Sequence, residues 1–93
     1  MVTATGTNYN DASGVTAGGA KNVLSPNAER KGLYVYNASD TNMRVSFGEQ
    51  AASATVGLIL APDSYWEPPA IPQGRVTLYC ASSGKAFSAG EFS

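Results

Sequence analysis

Histidine is absent from these 93 residues, and cysteine occurs once, as Cys80. Lack of histidine removes the commonest general base, the commonest catalytic metal ligand and any Ser-His-Asp triad. A lone cysteine excludes an intrachain disulfide and a thiolate metal cluster. Charge is sparse as well: six Lys and Arg stand against seven Asp and Glu, for a net charge of −1. The basic residues at 21, 30, 31, 44, 75 and 85 are scattered, which leaves no electrostatic footprint for nucleic acid. The adjacent pair Arg30 and Lys31 reads as an ordinary solvated surface. The longest apolar run, Val56 to Ala61, is far short of the roughly 20 residues that cross a bilayer. The N-terminal MVTATGTNYNDASG has neither the basic nor the apolar region of a secretion signal. These absences predict a soluble chain made in a cytoplasm, with no membrane partner.

Chemistry is excluded on similar grounds. No Walker, GxGxxG or GxSxG pattern exists. Asp40, Glu49, Asp63, Glu67 and Glu91 are assigned to loops as solvated turn acids. Asp63 and Glu67 are the closest pair, but a chain this short has little material for the cleft a carboxylate pair requires. Cys80 falls on the inward face of a strand and reads as a buried, inert thiol. The expectation is a protein that is not an enzyme and has no cofactor and no metal.

What is present is small residues, turn signals and short alternating runs. Residues 1–22 are rich in Gly, Thr, Ala, Asn and Ser, with Tyr9 the only aromatic. Such a segment buries too little to offset its ordering entropy, so a flexible N-terminal arm is predicted. From residue 23 to 93 the pattern predicts one β-domain. Leu33, Val35 and Asn37 alternate with Tyr34 and Tyr36, as in a strand packed on both faces or lying at an interface. A turn over 37–42 leads to Met43, Val45 and Phe47, which alternate with polar neighbours, so the two runs read as a hairpin. Val76, Leu78 and Cys80 form another inward set. A turn at Ser82-Ser83-Gly84 is expected to separate it from a last strand holding Phe87 and Phe92. No helical periodicity persists over three turns. The prediction is all-β: a small antiparallel β-sandwich or jelly-roll-like barrel.

Leu60 to Pro69, LAPDSYWEPP, concentrates the only tryptophan with a tyrosine, two acids and three of the five prolines. Tyr65 and Trp66 could stack on a sugar ring, cap an open end of the sandwich, or lie at a subunit contact. Prolines cannot donate ladder hydrogen bonds, which places this segment at an edge or over a barrel end. Asn37-Ala38-Ser39 matches a glycosylation sequon and, without a secretion signal, reads as coincidence. The apolar content is lean and no disulfide or metal is available, so burial against copies of the chain is the predicted remaining source of stability.

The order of motifs carries a resemblance. NAERKGLYVYNASDTNMRVSFG, then LILAPDSYWEPP, then PQGRVTLYCASSGKAFSAGEF resembles small virion structural proteins of tailed bacteriophages, of the capsid decoration (cement) or head-fibre type. The match runs over residues 22–93. Asn27 and Arg30 form the lead-in, Asn37 and Gly48 end successive strands, and Leu60 and Pro62 form a Leu-x-Pro turn. Gly74 and Gly84 introduce the last two strands, and Glu91 lies near the end. The turn often reads Leu-x-Pro-Gly in such proteins. Here Asp63 replaces the glycine, a substitution tolerable because Asp accepts unusual turn geometry.

The resemblance implies a non-enzymatic homo-oligomer, a trimer before a dimer, that docks on the phage major capsid protein at the head surface of the virion. The arm, with Tyr9, Asn10 and Lys21, would reach across coat subunits, and deleting residues 2–20 would leave the melting transition nearly intact. Tyr34, Tyr36, Tyr65 and Trp66 are candidate subunit or ligand contacts. The alternative is a tail or head-fibre component that binds host surface polysaccharide through Tyr65 and Trp66.

Overall fold

A computed structural model of the chain describes residues 8–93. The predicted fold class holds. Every strand pairing is antiparallel, and seven strands form one sheet curled into a nearly closed barrel-like shape. In chain order these are β1 (Tyr9–Asp11), β2 (Gly14–Leu24), β3 (Gly32–Asn37), β4 (Met43–Phe47), β5 (Leu58–Leu60), β6 (Tyr65–Trp66) and β7 (Val76–Phe92).

The 17-residue β7 is the axis of the fold. Along one side it pairs first with β2 and then with β1; along the other it pairs with β4 and then with β3. β5 extends the sheet beyond β4, and β6 extends it beyond β3. Two sequence expectations fail here. β3 and β4 are not a hairpin, because Asn37 lies opposite Phe87 while Arg44 lies opposite Tyr79. The two strands follow one another along β7, and the loop between them is held by Asn37 rather than by a ladder. Nor does the chain reverse at Ser82-Ser83-Gly84. These residues stay within β7, with Gly84 at φ +71° and register shifts between Val15 and Gly19 in the opposing β2. Thr16 satisfies the backbone at this irregularity. Its hydroxyl donates to the Ser82 carbonyl at 2.7 Å and accepts from the Lys85 amide at 3.0 Å.

The N-terminal segment also departs from expectation. From Tyr9 onward it is not a free arm but the strands β1 and β2, laid along the length of β7; residues 1–7 lie outside the described residues. Composition alone missed this because a small-residue strand needs few apolar contacts when a long neighbour supplies partners for its backbone groups. Leu24 and Thr16 are its buried anchors.

The core is where alternation placed most of it: Leu24, Leu33, Val35, Met43, Val45, Leu60, Val76, Leu78, Cys80, Phe87 and Ala89. Phe47 is the exception. Expected to point inward, it is 46% exposed and stacks on Trp66, with ring centroids 5.8 Å apart. Thr77, which the inward set Val76, Leu78 and Cys80 leaves on the outward face by alternation, is buried; its hydroxyl accepts from the Ala52 amide at 2.9 Å and donates to the Ser46 carbonyl at 3.3 Å.

Candidate functional site

Two constellations stand out, one buried and one exposed. The buried one joins the lead-in to the end of the chain. Arg30, expected on a solvated surface, is buried, and so is Glu91, expected in a loop. The Arg30 Nε donates to Glu91 Oε1 at 2.7 Å. Its other nitrogens donate to the carbonyls of Pro72, Gly74 and Ser25 at 2.6–2.8 Å. Asn27 and Asn10 donate to the two oxygens of Glu91 at 3.3 and 3.1 Å. Burial pushes the Glu91 carboxyl up, but the hydrogen bonds from Arg30, Asn10 and Asn27 outweigh it and hold the group below its ordinary value. Three side chains, Arg30, Asn10 and Asn27, converge on the Glu91 carboxylate, while the rest of the Arg30 guanidinium is spent on backbone carbonyls. The arrangement is a clasp that fixes the 25–31 and 71–75 segments and β1 to the end of β7.

A second structural node sits at Asn37, which is fully buried. Its Nδ2 donates to the carbonyls of Thr41 and Leu60, and its Oδ1 accepts from the amide and hydroxyl of Ser39. The sequon at this position therefore presents no accessible amide. The Asn37 carbonyl accepts from the Asp63 amide, and Ser64 donates back to Ala61 at 2.9 Å. With Pro62 at the second turn position and Asp63 at φ +63°, this is a type II turn. The residue standing where a glycine is common thus adopts the conformation that glycine would serve.

The exposed constellation follows from strand parity. Consecutive residues of a strand point to opposite faces. In β6, Tyr65 therefore faces out, at 55% exposure, while Trp66 turns toward the core and Phe47. The two cannot form one stacking platform, and the polysaccharide site expected from that pair is not assembled. Tyr65 instead joins Tyr34 and Tyr36 of β3 and Tyr9 of β1. Tyr36 lies opposite Tyr65 in register, and the Tyr34 and Tyr65 rings stack with centroids 6.1 Å apart. Tyr9 reaches Tyr34 across β7, with their hydroxyls 2.8 Å apart. Gly90 makes that crossing feasible: a Cβ there would lie 2.5–2.8 Å from the Tyr9 ring and hydroxyl.

Carboxylates border the tyrosines. Tyr9 donates to Asp11 at 3.1 Å, Tyr36 to Asp63 at 3.0 Å and Tyr65 to Glu67 at 2.9 Å. Tyr9 is held above the ordinary phenol range, first by its bond to Tyr34, then by burial and by Asp11. Tyr36 is raised chiefly by Asp63, and Tyr65 by burial and then Glu67. The Ser13 hydroxyl, 2.8 Å from Asp11, is the main reason that carboxyl is lowered.

The expected arm contacts are spent within the chain. Tyr9 and Asn10 engage Tyr34 and Glu91; Lys21 donates to the Val15 carbonyl at 2.9 Å and lies 5.7 Å over the Phe87 ring. Parity could have separated Tyr65 from Trp66 in the sequence. No local signal could have joined Tyr9 to Tyr34, since that contact depends on where β1 lies along β7.

Elsewhere, the β4–β5 end is apolar and open. Leu58 and Ile59 are more than half exposed, and a shallow pocket of about 220 Å³ beside them is lined by Met43, Arg44, Ala54, Ile59 and Tyr79 among others. Among the described residues no cluster of acids and thiols could hold a metal ion. No helix among the described residues is long and apolar enough to cross a membrane.

No protein-family model matches the chain, and no curated protein matches it. A solved structure described as "Crystal structure of PirA" is similar at 13% identity, over 91% of this chain and 93% of that one, with a TM-score of 0.42. A likeness this remote carries no argument about what the chain does.

Proposed function

We propose that the chain is a non-enzymatic virion component of a tailed phage, a capsid decoration or cement protein that binds the outer head surface and bridges coat subunits. The observation that carries this reading is the ordered motif set, from Asn27 and Arg30 through Asn37 and the Leu60-x-Pro62 turn to Glu91. Those residues work as a connected scaffold here: Arg30 and Asn27 close on Glu91, and Asn37 receives the turn. A scaffold with its polar residues committed to holding loops suits a protein whose task is to adhere.

The uncovered apolar residues at the β4–β5 end supply the contact. Phe47 is 46% exposed, and Leu58 and Ile59, on the two faces of the three-residue edge strand β5, are 52% and 59% exposed. Edge strands invite pairing, and exposed apolar clusters mark association surfaces. This end would bury itself against sister copies, a trimer being favoured by the resemblance, and the assembly would grip neighbouring coat subunits through repeated weak contacts.

The test is to purify virions from cells infected by the phage that encodes the chain, and to locate it by mass spectrometry of separated heads and tails and by cryo-electron microscopy. The expected result is density at local symmetry axes on the outside of the head. Recovery in the tail fraction alone, or absence from the particle, would overturn the proposal.

A further inference from the structure

The tyrosine face has an unusual proton inventory. Asp11 can only accept, so the Tyr9 proton goes to it, and the 2.8 Å contact between the Tyr9 and Tyr34 hydroxyls must use the Tyr34 proton. Tyr36 and Tyr65 give theirs to Asp63 and Glu67. All four phenol protons are committed inside the face, and what it offers outward is lone pairs and ring surfaces. Ser88, opposite Tyr36, adds a hydroxyl that can serve either way.

The charge is equally one-sided. Asp11, Asp63 and Glu67 border the tyrosines, while the heads of Lys21, Arg30, Arg44, Arg75 and Lys85 are engaged elsewhere. The sixth basic residue, Lys31, is exposed just before β3 and has the strand parity of Leu33, not that of Tyr34. A neutral sugar is a poor complement, because each hydroxyl brings an acceptor that would be desolvated without a donor. A guanidinium brings five donors and no acceptor, and it stacks on aromatic rings as an ammonium does not.

We infer that the face formed by Tyr9, Tyr34, Tyr36 and Tyr65 docks an extended, arginine-bearing polypeptide segment. Its guanidinium groups lie over the exposed rings and donate to Asp11, Asp63 and Glu67. Asp63 and Glu67 each spend one acceptor site on a tyrosine, and a carboxylate has about four. The Tyr9, Tyr36 and Tyr65 phenols, raised as they are, keep their protons through neutral pH, so their bonds to Asp11, Asp63 and Glu67 persist under ordinary conditions. The inference concerns the isolated chain and goes beyond the virion proposal; either can fail without the other.

The probes are a capped peptide of alternating Gly and Arg, its Lys counterpart of equal charge, and a maltooligosaccharide, each titrated into the isotope-labelled full chain at physiological salt. The expected result is amide shifts for the arginine peptide confined to residues 9–13, 32–36, 63–67 and 88–92, with clearly weaker shifts for the lysine peptide. Tyr65→Ala, on the short outer strand, should weaken arginine-peptide binding about tenfold, the scale of one desolvated stacked cation. Gly90→Ala keeps every tyrosine but evicts the Tyr9 ring, and should weaken it too. Should Gly90→Ala fail to fold, Asp63→Asn with Glu67→Gln replaces it. Equal binding of the two peptides, shifts scattered over all acidic residues, or binding of the sugar at this face would each overturn the inference.

Discussion

Arg30 and Glu91 are the residues on which the fold is least able to compromise. The guanidinium uses four of its donors on four different oxygens, and its side chain is wholly buried. Truncation to Ala would leave Glu91 buried and short of its cation, which costs about 3–5 kcal/mol. Arg30→Lys should recover only a small part of this, since an ammonium cannot span the fork. Urea denaturation of the two variants checks both statements. The same pair sets a pH limit. Glu91 is lowered in the folded state, so its contribution is present above its ordinary value of 4.5 and is lost as pH falls through the depressed folded value. Stability should fall below about pH 4.5, and Arg30→Ala should flatten that decline, measured as melting temperature against pH. Asp63 makes a subtler case. Its left-handed backbone costs a non-glycine residue roughly 1 kcal/mol. Asp63→Gly should therefore leave thermal stability near wild type while freeing the Tyr36 hydroxyl. Asp63→Val should destabilise by roughly 1–2 kcal/mol, since a β-branched residue resists positive φ.

At the scale of elements, β7 and its N-terminal partners decide stability. β2 covers β7 from Val76 to Phe87, and β1 continues to Phe92. Deleting residues 2–20 would strip the partner from one side of the central strand between Tyr79 and Phe92, uncover Phe87, and withdraw Asn10 from Glu91, leaving only Lys21–Leu24 along Val76–Leu78. The expected outcome is loss of the cooperative melting transition, seen by calorimetry and by rapid proteolysis, the reverse of what a free arm would give. A weaker intervention is Thr16→Val. It removes the hydroxyl that serves both Ser82 and Lys85 and should cost about 1–3 kcal/mol, because buried backbone groups lose their partner.

For the whole molecule, the exposed apolar β4–β5 end is where the proposed self-association is tested. Leu58→Asp combined with Ile59→Asp changes two residues that are over half exposed, so the fold should change by no more than about 0.5 kcal/mol per site. In sedimentation velocity the variant should run as a monomer at concentrations where the wild-type chain associates. A wild-type chain that is monomeric at all concentrations would remove self-association from the proposed function.

Much of this was legible in the amino-acid order. Alternation placed Leu33, Val35, Met43, Val45, Leu78 and Cys80 inside, because the two-residue period of a strand leaves little choice of face once one side is apolar. The unusual turn geometry at Asp63 was anticipated through the resemblance, which puts a glycine after the Leu-x-Pro turn, and the positive φ there agrees. Other features were hidden for identifiable reasons. Phe47 has the right parity for the core, yet lies where the sheet ends. Arg30 looks solvated until Glu91, Pro72 and Gly74 are brought around it from 42 to 61 positions away. The tyrosine face required β1 to be placed beside β7 and Gly90 to leave room.

The sequence by itself settled the strand character, most of the inward faces, and the absence of histidine chemistry and of a disulfide within these 93 residues, since each depends on composition or on neighbours a few bonds apart. Only the tertiary structure decided which strands meet, that the N-terminal segment completes the sheet, and that Tyr65 and Trp66 part company. Those outcomes depend on register along a strand whose partners come from both ends of the chain, and short-range chemistry does not encode that register.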